Sequence, residues 1–417
     1  MELKSSILGS FSLGFCRNRM RLEVTMSKRK ISLAGRIDSN NASIVEQELF
    51  EKIGGQDDRE IVFDAEKLTY ISSAGLRVLM KVRKKFDHPL EILNVSRDIY
   101  DIFETTGFTE LFAVKKAYRT MRVDGLEVIG RGFFGTVYRI DAERIVKVYK
   151  GEESIPMIEN EKKMAQKAFV SGIPTAISYD IVKVGEDYGS VFELLNARTF
   201  HELAQSNAMP LPELIGKYTE LLKIVHATRL EKGTFPSYRE RFLAYLEVIA
   251  KHLTDQQYEG LKKLLTDMAD ENTVVHGDIQ MKNVMMVDGE PMLIDMDTLG
   301  LGNPVFEFAG LYVTYQSFEE DDPDNAMSFL GMSNAFVDDL WNRIADSYFV
   351  FQNAADREET LAKIALVAAI RFLFLLETTD LKASDLGRTR IAHTLEHIDE
   401  LLDIVTDLPI SKWLYSG

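Results

Sequence analysis

Two short apolar runs, "VMMV" (284–287) and "PMLI" (291–294), flank Asp288-Gly289-Glu290. An Asp-Gly step between such runs is a strong hairpin signal. Folding about Gly289 is expected to pair Val284 with Ile294, leaving Asn283 and Asp295 side by side at the open end. Asp278 stands one short loop upstream, within "HGDIQMKN". An amide oxygen beside a carboxylate suits Mg²⁺, a hard ion that takes few protein ligands and shares phosphate oxygens with them. A separate carboxylate nearby is placed to accept a proton from an attacking hydroxyl. The alternative is a polar hairpin mouth that merely faces water. It accounts for any one of these residues better than for the set.

A glycine-rich stretch limits the fold further. "VIGRGFFGTVYRIDAERIVKVYK" contains Gly130, Gly132 and Gly135 in GxGxxG spacing. A dinucleotide-binding fold needs a helix to start at the third glycine. Here β-branched and aromatic "TVYRI" follows, then a turn at "DAE" and another strand. That is strand-loop-strand, an arrangement that lays flexible backbone over nucleotide phosphates. No GxxxxGK[ST] phosphate loop occurs anywhere in the chain. Lys147 lies inside the apolar strand "IVKVY", where an unpaired ammonium costs free energy. A phosphate and a carboxylate both suit it, and Glu161 on the helix "MIENEKKMAQKAF" is the carboxylate of choice. The competing reading places Lys147 on an edge strand with its amine in solvent.

The chain of 417 residues has room for two or three domains. Its hydrophobic content of 46% and charged content of 27% are those of a soluble globular protein. A net charge of −16 argues against a general nucleic-acid binder, which needs a basic footprint. The sole cysteine, Cys16, allows no intramolecular disulfide and no thiolate cluster, which points to a reducing cytoplasm. The longest apolar run (364–376) is interrupted by Arg371 and too short for a bilayer, so no membrane partner is expected. Residues 1–19 read as a disordered extension or as sequence ahead of the real start, with Met20 and Met26 as candidate starts.

Up to residue 116, strand candidates alternate with helices: "KRKISLAGRI", "NASIVEQELFEKIGG", "REIVFDA", "SSAGLRVLMKVRKKF", "LEILNV" and "SRDIYDIFETTGF". This is an α/β layer with some parallel pairing. The charged segment around 117–125 reads as a linker. Residues 126–196 are strand-rich, and from 197 to 417 the period is almost wholly helical apart from the hairpin. His393 and His397 sit four apart on a helix, but no third ligand or neighbouring Glu is apparent, so they read as helix surface. "EEDDPD" (319–324) reads as a solvated loop, with attraction of a cationic ligand as the alternative. Met281, Met285, Met286, Met292 and Met296 read as core packing.

With these residues in hand, 126–417 resembles the aminoglycoside phosphotransferase and choline-kinase branch of the protein-kinase-like fold. "HGDIQMKN" looks like that branch's catalytic loop, "LIDMD" like its metal-binding segment, and "GLGNPVFEFA" is similar to the run that follows. The resemblance implies an α+β two-lobed domain with a mostly helical C-lobe (N-lobe 126–196, C-lobe 197–417). It implies ATP and Mg²⁺ as cofactors, Asp278 as catalytic base, and Asn283 and Asp295 as metal ligands. Lys147 would bind phosphate with Glu161 as its partner, Gly130, Gly132 and Gly135 would cover the nucleotide, and "FELLNARTF" with Glu193 and Leu195 would form the adenine-binding hinge. Asn303 and Glu307 stand where the family run has Asp, departures that bear on substrate class. Residues 20–116 resemble a STAS domain, the α/β fold of anti-sigma-factor antagonists. "FDAEKLTYISSAGLRVL" carries that likeness, with Ser73 as the candidate phosphosite or as a helix cap.

These features together imply a kinase moving the γ-phosphate of ATP to a hydroxyl of a small molecule and regulated by, or signalling through, the STAS domain. The alternatives are a serine kinase of a partner-switching pathway, in which an anti-sigma or STAS protein is the partner and Ser73 is autophosphorylated, and a nucleotide-binding sensor without significant turnover.

Overall fold

Strands of residues 29–116 bury Ile, Val, Leu and Phe mainly at alternate positions, with one continuous buried run at Ile61–Ala65, the pattern of a sheet whose helices cover one face more than the other. In the computed structural model, which describes residues 29–54, 61–131, 135–269 and 271–410, four parallel strands pair in sequence order. They are Arg29–Ile37, Ile61–Ile71, Leu90–Val95 and Phe112–Lys116. Helices Ala42–Ile53, Ser73–Arg83 and Arg97–Thr105 connect them. Phe63, Leu79, Ile92 and Phe103 are fully buried in the core between the layers. The strand Phe112–Lys116 escaped the sequence reading because Lys115 and Lys116 gave it the look of a charged junction. The extension 1–19, Cys16, Met20, Met26 and Gly132 lie outside the described residues.

Chain contacts divide after Met121, within the segment expected to be a linker. In the second unit, strands Ser178–Val184, Asp187–Glu193, Arg144–Tyr149, Gly135–Arg139 and Val128–Arg131 lie in that spatial order. All their pairings are antiparallel. The helix Ile155–Val170 follows the strand that carries Lys147. The rest is mainly helical: Leu211–Ala227, Tyr238–Ile249, Asp255–Asp267, Val305–Tyr312, Asn334–Tyr348, Ala354–Thr378 and Asp385–Leu402. One hydrophobic core runs through this region and reaches Ile279, Met281 and Val284 beside the candidate site. No helix among the described residues is long and apolar enough to cross a membrane.

The hairpin forms with a register one residue from the expected one. Val284 faces Leu293, and Val287 faces Glu290. Asp288 and Gly289 both have positive φ (50° and 86°), so the loop is a two-residue turn of the type that matches strand twist. Counting Glu290 into the loop had displaced the pairing by one. Asn283 now takes the amide of Ile294 on its carbonyl at 3.0 Å, and Asp295 begins the next turn.

Candidate active site

Lys147 projects from its strand toward Glu161 on the following helix. The ammonium lies 3.1 Å from Glu161 Oε1 and 2.9 Å from Asp295 Oδ1. Tyr149 donates its hydroxyl to the other Glu161 oxygen at 2.5 Å. Burial works against a charged Lys147, but Asp295 and Glu161 outweigh it and hold the ammonium well above its ordinary range. For Glu161, burial and then the nearby Asp295 charge push the carboxyl up, against the pull of Lys147 and Tyr149. One strand, one helix and one post-hairpin turn thus meet at a single ammonium, which makes two ion pairs.

The catalytic-loop candidates come from a segment held by side chains of several helices. Glu307, on Val305–Tyr312, accepts the backbone N–H groups of His276 at 2.6 Å and Gly277 at 2.7 Å. His226 lies 3.5 Å from the same carboxylate. Burial pushes the Glu307 carboxyl up, but His226, His276 and the backbone donors outweigh it, so it is held below its ordinary value. The Thr298 hydroxyl donates to the His276 carbonyl at 2.6 Å, and Tyr218 donates to the Ile279 carbonyl at 2.6 Å. Gly277 has φ +83°, and the Tyr238 hydroxyl stands 1.5 Å from where a Cβ would sit, so only glycine fits.

Asp278 accepts hydrogen bonds from Asn283 Nδ2 at 2.9 Å and Gln280 Nε2 at 3.2 Å. Burial raises its pKa to about 7; Asp295 adds to the rise, while Arg371, Gln280 and Asn283 oppose it. Asp295 itself has φ 67° and ψ 66°. A non-glycine residue in this region carries strain of about 1–3 kcal/mol, a cost often found at functional sites.

A cavity of about 580 Å³ opens beside this group. Gly130, Gly135, Lys147, Glu161, Glu193, Leu195 and Asp295 all line it. Asp278 and Asn283 do not; both are buried and joined to each other, and Asp295, which lines the cavity, is near enough to push the Asp278 carboxyl up. A Cβ on Gly135 would lie 2.4 Å from the Val148 carbonyl, so the close strand pairing there requires glycine. Among the described residues, no group of three or more His, Cys, Asp or Glu is arranged to hold a metal by itself. Mg²⁺ does not need one, because it keeps waters and shares phosphate oxygens. The residues fit such an ion. Asp297 has a buried carboxylate oxygen without a hydrogen-bond partner, and its carboxyl is pushed up first by burial and then by Asp295.

Several contributors were not found from the sequence. Asp297 repeats the acid of "LIDMD" two residues on, a signal that was available. Tyr149 and Arg371 carry no such signal, because what they touch is set by tertiary packing, and Gln280 bonds Asp278 only two residues away but is of no type that marks a site. Lys282 and two of the methionines read as core, Met285 and Met296, line the cavity. Glu307 and Asn303, the two departures from the family run, both make hydrogen bonds that brace the scaffold. Asn303 bonds Glu271 at 2.6 Å and both the amide and the carbonyl of Ile410 at 3.2 Å. The acidic segment is not a free solvated loop either. Asp321 lies 2.5 Å from His393, and Glu320 lies 3.1 Å from His397.

Comparison with known proteins gives two matches along the chain. The phosphotransferase enzyme family matches residues 125–336, and the STAS domain matches residues 20–122. BtrV of Bordetella bronchiseptica, which is named as an anti-sigma factor antagonist, is 35% identical over 85 residues, 20% of this chain and 72% of BtrV. Among solved structures, ADP-bound aminoglycoside phosphotransferase APH(2'')-Ib is similar at 14% identity and a TM-score of 0.46, covering 66% of this chain and 94% of that one. The streptomycin-ATP-APH(2'')-IIa ternary complex is similar at 13% identity and a TM-score of 0.44, covering 66% and 93%.

Proposed function

Because the chain belongs to the phosphotransferase enzyme family and carries a STAS domain ahead of that match, we propose that it moves the γ-phosphate of ATP to a hydroxyl of a small molecule. The observation that carries this reading is Lys147, held between Glu161 and Asp295 at the wall of a nucleotide-sized cavity, with Asn283, next in the chain to the lining residue Lys282, bonded to Asp278. Lys147 would bind phosphate oxygens, and Glu161 would hold it in place. Asn283, Asp295 and Asp297 would hold Mg²⁺, whose charge supports phosphoryl transfer. The attacking oxygen forms its bond to the γ-phosphorus as the bond to the bridging oxygen breaks and ADP leaves. Asp278 takes the hydroxyl proton, a task suited to a carboxyl with a pKa of about 7.

Binding of Mg-ATP to the intact protein, measured by calorimetry with and without a chelator, tests the assignment. Wild type is expected to bind with affinity that depends on Mg²⁺, and both Lys147→Ala and Asp295→Ala to lose that binding. Unchanged affinity in both variants would remove these residues from the nucleotide site.

A serine kinase of a partner-switching pathway is the second reading. It is favoured by Ser73, which is exposed at the start of its helix, while the capping hydrogen bonds come from Ser72. In that reading a STAS-pathway protein is the partner, and carriage of kinase and serine on one chain raises their effective concentration, on the order of millimolar where geometry permits.

A further inference from the structure

Arg371 sits within the helix Ala354–Thr378, between buried Ile370 and buried Phe372, Leu373 and Phe374. Arg371 itself is half-buried, and the part of its guanidinium turned away from water costs free energy unless something compensates it. Among the described residues no carboxylate lies within ion-pair distance of it. Its hydrogen-bond partner among the described residues is one backbone oxygen, the Gly277 carbonyl, which accepts from Nη1 at 2.5 Å. Gly277 immediately precedes Asp278.

The neighbouring helix leaves room for this contact. A Cβ on Gly310 would lie 2.9 Å from Arg371 Nη1 and 3.0 Å from the Gly277 carbonyl oxygen. The peptide between Gly277 and Asp278 is therefore fixed from both sides. His276 Nδ1 accepts the Asp278 N–H at 3.3 Å on one side, and Arg371 holds the Gly277 carbonyl on the other through the gap at Gly310. The side-chain direction of Asp278 depends on that peptide plane, and a rotation there would carry the carboxylate away from Asn283.

We propose that Arg371 is a positioning residue for phosphoryl transfer, fixing the Gly277–Asp278 peptide so that the Asp278 carboxylate faces the acceptor hydroxyl, and that Gly310 is small in order to admit its guanidinium. The inference rests on the assignment of Asp278 as the base. Arg371 touches neither nucleotide nor acceptor. Its loss acts on the chemical step and leaves nucleotide binding, which depends on Lys147 and Asp295, in place.

The test is steady-state ADP release from Mg-ATP by the intact protein, with hydroxyl acceptors and with water, for wild type, Arg371→Met, Arg371→Lys, Gly310→Ala and Asp278→Asn. Melting temperatures are measured in parallel, with assays run well below the lowest. Arg371→Met and Gly310→Ala are expected to lower kcat by about 10- to 100-fold, the loss seen when a group that orients a metal ligand is removed and carried here to one that orients a base. KM for ATP should change little. Arg371→Lys keeps a cationic donor and should recover part of the loss. If Asp278→Asn is inactive while Arg371→Met and Gly310→Ala turn over like wild type, the positioning role is overturned and the base assignment stands. Loss of melting temperature without loss of kcat would likewise make Arg371 only a structural residue. If Asp278→Asn itself turns over like wild type, the base assignment fails and takes the role of Arg371 with it.

Discussion

Ser72 and Ser73 are adjacent hydroxyls with different work. Ser72 accepts the amides of Ala74 at 3.2 Å and Gly75 at 3.5 Å, and so caps the helix Ser73–Arg83. Ser73, at the first helical position, is exposed, and Arg77 is exposed four residues on, one turn along the same face. A phosphate on Ser73 would meet the positive end of the helix and add a charge close to −2, which would repel an acidic partner. After incubation with Mg-ATP, mass spectrometry is expected to find phosphate on Ser73 in wild type and none at that position in Ser73→Ala. Its absence from Asp278→Asn would assign the transfer to this chain. Its presence only in material purified from cells would assign it to a separate kinase. If Ser73 carries no phosphate in either preparation, the hydroxyl has no part in switching and the small-molecule reading gains.

At the level of elements, the helix Ala354–Thr378 is fastened at its C-terminal end by Glu377. Its carboxylate takes Lys251 at 2.6 Å, His252 at 2.8 Å and Lys382 at 2.8 Å. Burial alone would raise this carboxyl, but the hydrogen bonds from Lys251, Lys382 and His252 outweigh it and hold the pKa down to about 2. A carboxyl depressed in the folded state adds stability above its unfolded value near 4.5, and that stability is lost as pH falls toward 2. Denaturant melts of wild type and Glu377→Gln should differ most at neutral pH and converge as pH approaches 2. A gap that stays constant with pH would mean that Glu377 contributes through packing rather than charge. Elements of this kind also mark where the sequence could be read and where it could not. The hairpin, the glycine-rich strands and the helix of Glu161 were legible because turn chemistry and period are local signals. Arg371 appeared only as a break in an apolar run, since its target lies on another segment. The choice between Ser72 and Ser73 as cap turned on one residue of helix start, which propensity does not resolve.

For the whole molecule, the division after Met121 leaves Lys147, Asp278, Asn283 and Asp295 together on one side. A fragment beginning at Met121 is therefore expected to fold alone and to bind Mg-ATP as the intact chain does. A fragment that stays insoluble unless residues 28–116 are supplied would show that the two units share a core. The central claim is that this second unit transfers phosphate by way of Asp278. Its most direct test is ATP consumption by the intact chain, wild type against Asp278→Asn, over amino alcohols, aminoglycosides, sugars and STAS proteins. The expected result is acceptor-dependent turnover in wild type, lower by roughly a hundredfold or more in Asp278→Asn, with Mg-ATP affinity nearly unchanged. Mg-ATP binding with no turnover on any acceptor, or equal turnover in the two proteins, would contradict it.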